Sequence, residues 1–202
     1  MFTGLIEQIG TVASIEDREF GHRLSIKCTG WDEVPCDGAS MSISGCCLTV
    51  VQTQRKANSL ILDFDVVPES FQCTTLGSIQ KGDLVNLEQA LQPNSKMGGH
   101  FVQGHIDCVE SIIQIDTQDE GESRLHIGMQ TVDVDTVVPK GSITIDGVSL
   151  TVASVSPESF EVVLIPTTLK ETTLGHRKVG DVVNIETDIL ARTVVQMMRK
   201  SQ

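Results

Sequence analysis

Three groups of residues could do chemistry. Cys47 lies in GASMSISGCCLTV (38–50), in a polar row with Ser40, Ser42 and Thr49. A cysteine among hydroxyls can act as a polar contact or a nucleophile, although free Cys more often fills a core. His100 and His105 bracket GHFVQGH. If that stretch is a strand, a spacing of five puts the rings on opposite faces and rules against a joint metal site. Lys140, Asp146, Ser149 and Thr151 gather in KGSITIDGVSLTV (140–152). Lys before a strand is ordinarily a solvated charge, and Asp in Asp-Gly ordinarily serves the turn. Hydroxyls closed by a lysine nevertheless suit a polyhydroxy ligand.

The elements that must position these groups occur twice. Gly45 and Gly147 lie 102 residues apart, and at that offset Ser40 falls on Ser142, Thr49 on Thr151 and Cys47 opposite Ser149. Ser44-Gly45 and Asp146-Gly147 are turn signals between alternating residues, so each copy should be a tight hairpin. Ile145 then faces Val148 and Ile143 faces Leu150 on an apolar side. Thr144 with Ser149, and Ser142 with Thr151, form a polar side. In the first copy Ile43 with Cys46, and Met41 with Leu48, are core pairs, while Ser42 with Cys47 and Ser40 with Thr49 face out.

The repeat runs well beyond the hairpins. FDVVPES…TTLGSIQKGDLVNLE (64–88) is echoed by LIPTTLKETTLGHRKVGDVVNIE (164–186), and MFTGLIE more loosely by FVQGHID. Within each unit short, alternating, β-branched segments such as Leu60 to Val66 and Val182 to Glu186 are separated by turn residues. Five or six strands in such a unit predict a small antiparallel barrel, with the Thr-Thr-Leu-Gly stretches as short helical turns. The fold class is all-β: two tandem barrels and one C-terminal helix. The expected bounds are 1–91 and 100–187 for the barrels, 92–99 for the linker, and 188–202 for the helix. Asp188 is its N-cap, and Leu190, Val194, Met197 and Met198 make one apolar stripe with Arg192 and Arg199 off it. That stripe must pack on its own barrel or on another subunit.

Composition narrows the functions. The 202 residues carry 15 basic and 27 acidic side chains, a net charge of −12 spread over both halves. Nucleic acid is therefore not an expected partner. Aromatics are 3% with no Tyr, which also argues against stacked single strands. No membrane segment or secretion signal is visible, and six cysteines lack CxxC spacing. The expectation is a cytoplasmic protein with reduced thiols and no zinc.

The ordered set MFTGLIE, GCCLTV, MGGHFVQGH, KGSITIDGVSLTV, IPTTLKETTLG and GDVVNIE resembles riboflavin synthase of the lumazine-binding superfamily over essentially the whole chain. The resemblance implies two six-stranded Greek-key barrels, each binding one pteridine, and a homotrimer formed through the C-terminal helix. It implies no metal or organic cofactor. The implied reaction is a dismutation of two 6,7-dimethyl-8-ribityllumazines into riboflavin and 5-amino-6-ribitylaminouracil. The implied competent site forms between the N-terminal barrel of one subunit and the C-terminal barrel of its neighbour.

Carried over by position, the implied substrate contacts are Phe2, Thr3, Ser40, Cys47, Thr49, Ser70, Lys140, Asp146, Ser149, Thr151, Ile165 and Thr168. The implied chemistry falls to Cys47, His100, His105, Ser149 and Asp188. The alternative within the superfamily is a carrier that binds a lumazine or flavin without turnover.

Overall fold

The structure is a computed structural model describing residues 1–29, 31, 33–56, 59–117 and 121–201. Twelve strands form two closed antiparallel barrels. The first contains β1 (Gln8–Arg18), β2 (Gly21–Cys28), β3 (Ser40–Ile43), β4 (Cys46–Lys56), β5 (Ser59–Val66) and β6 (Leu84–Gln89). The second contains β7 (Cys108–Thr117), β8 (Ser123–Gly128), β9 (Ser142–Ile145), β10 (Val148–Val155), β11 (Ser159–Leu164) and β12 (Val182–Thr187). Around each barrel the order is the same: β1-β2-β5-β4-β3-β6 and β7-β8-β11-β10-β9-β12. Closure removes the free edges that would otherwise invite strand pairing with another chain.

The hairpins have the expected register: Ser42 pairs with Cys47 and Ser40 with Thr49, while Thr144 pairs with Ser149 and Ser142 with Thr151. Ser44 and Gly45, like Asp146 and Gly147, take positive φ in succession, the backbone of a turn matched to strand twist. Alternation then sends Met41, Ile43, Cys46 and Leu48 into one core and Ile143, Ile145, Val148 and Val152 into the other. Pro68 and Pro166 start two short helices, α1 (Pro68–Cys73) and α2 (Pro166–Glu171), where a missing N–H costs nothing. Thr74 and Thr172 then cap the 3-10 turns of the two Thr-Thr-Leu-Gly stretches.

Two buried amides join the barrels reciprocally. Asn86 Oδ1 accepts from Thr173 N (2.8 Å) and its Nδ2 donates to the Asp146 carbonyl (2.8 Å). Asn184 Oδ1 accepts from Thr75 N (2.8 Å), and its Nδ2 donates to the Ser44 carbonyl and to Thr75 Oγ1 (2.8 Å each).

GHFVQGH is not a regular strand. Its backbone makes one isolated bridge, Phe2 to Val102, and the N–H groups of Gln103, Gly104 and His105 go to the Glu186 carboxylate. The opposite-face argument for His100 and His105 therefore does not apply.

The C-terminal helix, α3 (Ile189–Lys200), is capped by Asp188, whose carboxylate accepts from Leu190 N at 2.9 Å. Its arginines face the protein: Arg192 donates to Asp107 (2.6 Å) and Arg199 to Asp133 (2.7 Å). The apolar stripe is left uncovered, with Leu190, Val194, Met197 and Met198 between 56% and 66% exposed.

Candidate functional site

The outward polar face of the second hairpin forms the floor of a recess of about 550 Å³. Ser142, Ser149 and Thr151 come from β9 and β10, Val163 and Ile165 from the end of β11, and Thr168 from α2. Gly98 and Gly99 close one side. Ser149, Thr151, Ile165 and Thr168, dispersed in sequence, thus share one wall.

His100 adjoins this recess through Ser149, one of its lining residues. Its Nδ1 lies 2.7 Å from Ser149 Oγ and its Nε2 3.2 Å from Thr144 Oγ1. Burial lowers the His100 pKa from its ordinary value, and the nearby charge of Asp188 partly opposes the shift. The ring is therefore neutral at neutral pH, with a hydroxyl at each nitrogen. His100, Ser149 and Asp188 form one cluster at the second barrel.

At the first barrel the matching face carries Ser40, Cys47 and Thr49, with half-buried Ser70 on α1 in the place of Thr168. Burial pushes the Cys47 thiol up, away from the thiolate that a nucleophile needs. Cys46, on the other face, is pushed up to about 12 by burial in the core. His105 belongs to this side. It follows Gly104, whose carbonyl accepts from Cys47 N at 2.8 Å, and its ring is exposed.

Four of the expected contacts sit differently. Asp146 is fully buried between the barrels and not in the recess. Its Oδ1 accepts from Asn184 N (2.9 Å) and its Oδ2 from Arg177 Nη2 (2.6 Å), so both oxygens are committed to the fold. Phe2 has no exposed surface, its ring lying beside Gly104. Thr3 is buried, and its hydroxyl donates to Glu88 Oε1 at 2.8 Å. Lys140 is exposed ahead of β9 with φ 66°, outside the residues lining the recess. Arg177 aligns with Ile79 of the first half, so the repeat offers it no charged counterpart, which is why the pair escaped a reading by repeats.

One wall residue is visible only through the register. Asp65 occupies the position of Val163, each three residues before the aligned prolines. Asp65 pairs with Arg23 across β2 and β5 at 2.6 and 3.1 Å, whereas Val163 lies opposite Arg124 and lines the recess. One barrel thus presents an ion pair where the other presents a valine. Among the described residues, no group of three His, Cys, Asp or Glu side chains could hold a metal ion.

Comparison with known proteins gives the same division. The lumazine binding domain model matches residues 3–90 and again 103–188. The riboflavin synthase of Bacillus subtilis (strain 168) is 36% identical over 201 residues, covering 100% of this chain and 91% of that protein. That of Actinobacillus pleuropneumoniae is 38% identical, covering 99% and 91%, and that of Mycobacterium bovis is 39% identical, covering 100% of each. Among solved structures, LumP complexed with riboflavin superposes with a TM-score of 0.79 at 24% identity, over 93% of this chain and 99% of that one. LumP complexed with 6,7-dimethyl-8-(1'-D-ribityl) lumazine gives 0.76 over the same shares. These two likenesses speak to the fold, and the full-length identity to the synthases settles the rest: the chain belongs to the riboflavin synthase family of lumazine-binding proteins.

Proposed function

We infer that this chain catalyses the dismutation of two 6,7-dimethyl-8-ribityllumazine molecules, one passing a four-carbon unit to the other, to give riboflavin and 5-amino-6-ribitylaminouracil. The observation that carries this reading is that both halves keep a hydroxyl-bearing hairpin row, with a recess and a neutral His100 beside the second. Ser149, Thr151 and Thr168 suit the hydroxyls of a ribityl chain, and Ser40, Thr49 and Ser70 play that part in the first barrel. Ile165 offers an apolar edge to a flat ring.

The reaction needs a ring methyl deprotonated on one lumazine and a nucleophile added to the other, with the two rings stacked. Holding two reactants in register contributes on the order of 7–11 kcal/mol to such a barrier, so no strongly perturbed acid or base is demanded. A neutral His100 can accept a proton and return it, and His105 is available to do so at the first barrel. Cys47, with its raised pKa, serves as a polar contact.

The exposed stripe Leu190, Val194, Met197 and Met198 supports a homotrimer closed through α3, in which neighbouring N- and C-terminal barrels face each other. No described helix is long and apolar enough to cross a membrane, and all six cysteines are free thiols, which suits an enzyme working in the cytoplasm. The test is to mix the protein with the lumazine and follow riboflavin fluorescence. Riboflavin formation supports the synthase, and tight binding without riboflavin would make the chain a carrier instead.

A further inference from the structure

Each half begins with a short strap, residues 2–6 and 102–106, and the straps are exchanged. Ile6 packs against the core of the second barrel and Ile106 against the core of the first. The Gly4 carbonyl accepts from Ser149 N in the second barrel, and the Gly104 carbonyl from Cys47 N in the first, both at 2.8 Å. The approach is so close that a Cβ on Gly4 would come within 2.6 Å of Ser149 Cβ, and one on Gly104 within 2.6 Å of Cys47 Cβ. Both glycines also have φ near +79°.

What holds each strap is a buried carboxylate on the last strand of its own barrel. Glu88, 3% exposed on β6, accepts from Thr3 N (2.7 Å), Thr3 Oγ1 (2.8 Å) and Gly4 N (3.0 Å). Glu186, 1% exposed on β12, accepts from Gln103 N (2.7 Å), Gly104 N (2.9 Å) and His105 N (3.2 Å). Backbone N–H groups bonded to a charged acceptor are held more tightly than by a neutral one. The strap that Glu88 fixes then orders the second recess: Thr3 O accepts from His100 N at 3.2 Å, and Gly99 lies against Thr3 O and Ser149.

We propose that Glu88 and Glu186 are positioning residues acting crosswise, each setting the geometry of the substrate pocket in the barrel to which it does not belong. Glu88 of the first barrel aligns His100 and Ser149 of the second. Glu186 of the second barrel aligns the Gly104–His105 strap over Cys47 of the first. The inference rests on the reading of the two polar faces as substrate sites. The two pockets of one chain are consequently built by both barrels, and neither is complete in its own half.

The test uses two reporters that need no substrate, so it stands apart from the turnover assay. In the full chain, Cys47 alkylation by iodoacetamide is timed by mass spectrometry of its peptide, and His100 is titrated through its ring proton resonances. Glu186→Gln should speed Cys47 alkylation by roughly tenfold, because a neutral amide cannot hold the three N–H groups as the carboxylate does. It should leave the His100 titration unmoved. Glu88→Gln should move the His100 titration toward that of an exposed imidazole and leave Cys47 alkylation unchanged. Thr3→Ala, which keeps the carboxylate and removes one of its bonds, should move His100 in the same direction by less. Effects confined to the same barrel as the substitution, effects of equal size on both reporters, or no effect on either would overturn the proposal. Wild-type protein that binds no lumazine would instead refute the assigned function while leaving the crossed geometry measurable.

Discussion

In the first barrel the residue ahead of the turn glycine is Ser44; in the second it is Asp146, tied to Arg177. The outward row carries Cys47 in one and Ser149 in the other. The pocket-side position at the end of β5 is Asp65, and at the end of β11 it is Val163. The loop before β3 turns at Gly38 with φ 87°, while the loop before β9 turns at Lys140 with φ 66°. Strand order, hairpin register and the paired amides Asn86 and Asn184 are meanwhile the same in both halves. Positions that make the barrel are alike, as are the two seam amides and the Ser40/Ser142 and Thr49/Thr151 pairs, while the differences include single positions on the ligand face (Cys47 against Ser149) and at the seam (Ser44 against Asp146). A reaction that treats two identical substrates unequally needs that kind of difference.

The seam should show the largest effect. Asp146→Ala leaves Arg177 and the Asn184 N–H without their buried partner, and breaking a buried ion pair from one side costs about 3–5 kcal/mol. Ser44→Ala removes one neutral acceptor, 3.2 Å from Asn86 N, at about 1 kcal/mol. Urea unfolding with unchanged slopes measures both. Equal costs would show that the seam draws no more on Asp146 than on Ser44.

The outward rows come next. Ser149→Ala deprives His100 of the hydroxyl at its Nδ1 and should lower kcat by on the order of tenfold, ~1.4 kcal/mol of barrier. Cys47→Ser should keep most of the turnover, because the thiol acts as a contact. A Cys47→Ser enzyme that is nearly dead, with normal lumazine binding, would restore the nucleophile.

Smaller still is the backbone difference. Nothing lies within 4 Å of a Cβ built on Gly38, so Gly38→Lys tests conformation alone and should cost about 1 kcal/mol for a left-handed non-glycine residue. Lys140→Gly should return less than that, since glycine also loosens the unfolded chain by ~0.4–1 kcal/mol. Thermal melts of the two variants decide it, and a clear destabilisation by Lys140→Gly would mean that the lysine side chain carries a structural contact.

Most of the fold could be read from the sequence because its signals are local. Ser-Gly and Asp-Gly set the turns, alternation set which of Cys46 and Cys47 faces the core, and Asp188 with the stripe from Leu190 set the helix. The recess was legible in part, through the hydroxyls that alternation placed on one face. What escaped is non-local. Glu88 and Glu186 look like ordinary repeat positions until the chain brings Thr3 and Gly104 onto them from more than eighty residues away. The same holds for Asp146: a turn aspartate is indistinguishable in sequence from a buried one until Arg177 arrives beside it. GHFVQGH reads as a strand, but Gly104 turns with φ +79° and the N–H groups of Gln103, Gly104 and His105 go to a carboxylate instead of a neighbouring strand.

The last and smallest difference is a matter of pH. His100 is half-buried beside the second recess, faced by Ser149, Thr144 and the charge of Asp188, and burial holds its pKa below the ordinary 6.5. A base whose folded pKa is lowered stabilises the fold above its unfolded pKa, and that contribution is lost as the pH falls through the folded value. The melting temperature of the wild type should therefore exceed that of a His100→Gln variant by most near neutrality, and the gap should narrow on acidification below about pH 6.5. Asp188→Asn removes the charge that opposes the shift, so the narrowing should become steeper in that background. A gap that stays constant or widens in acid would mean that the folded protein welcomes the imidazolium. His100 would then meet the substrate as a cation, and its assignment as the proton acceptor of the second barrel would fall.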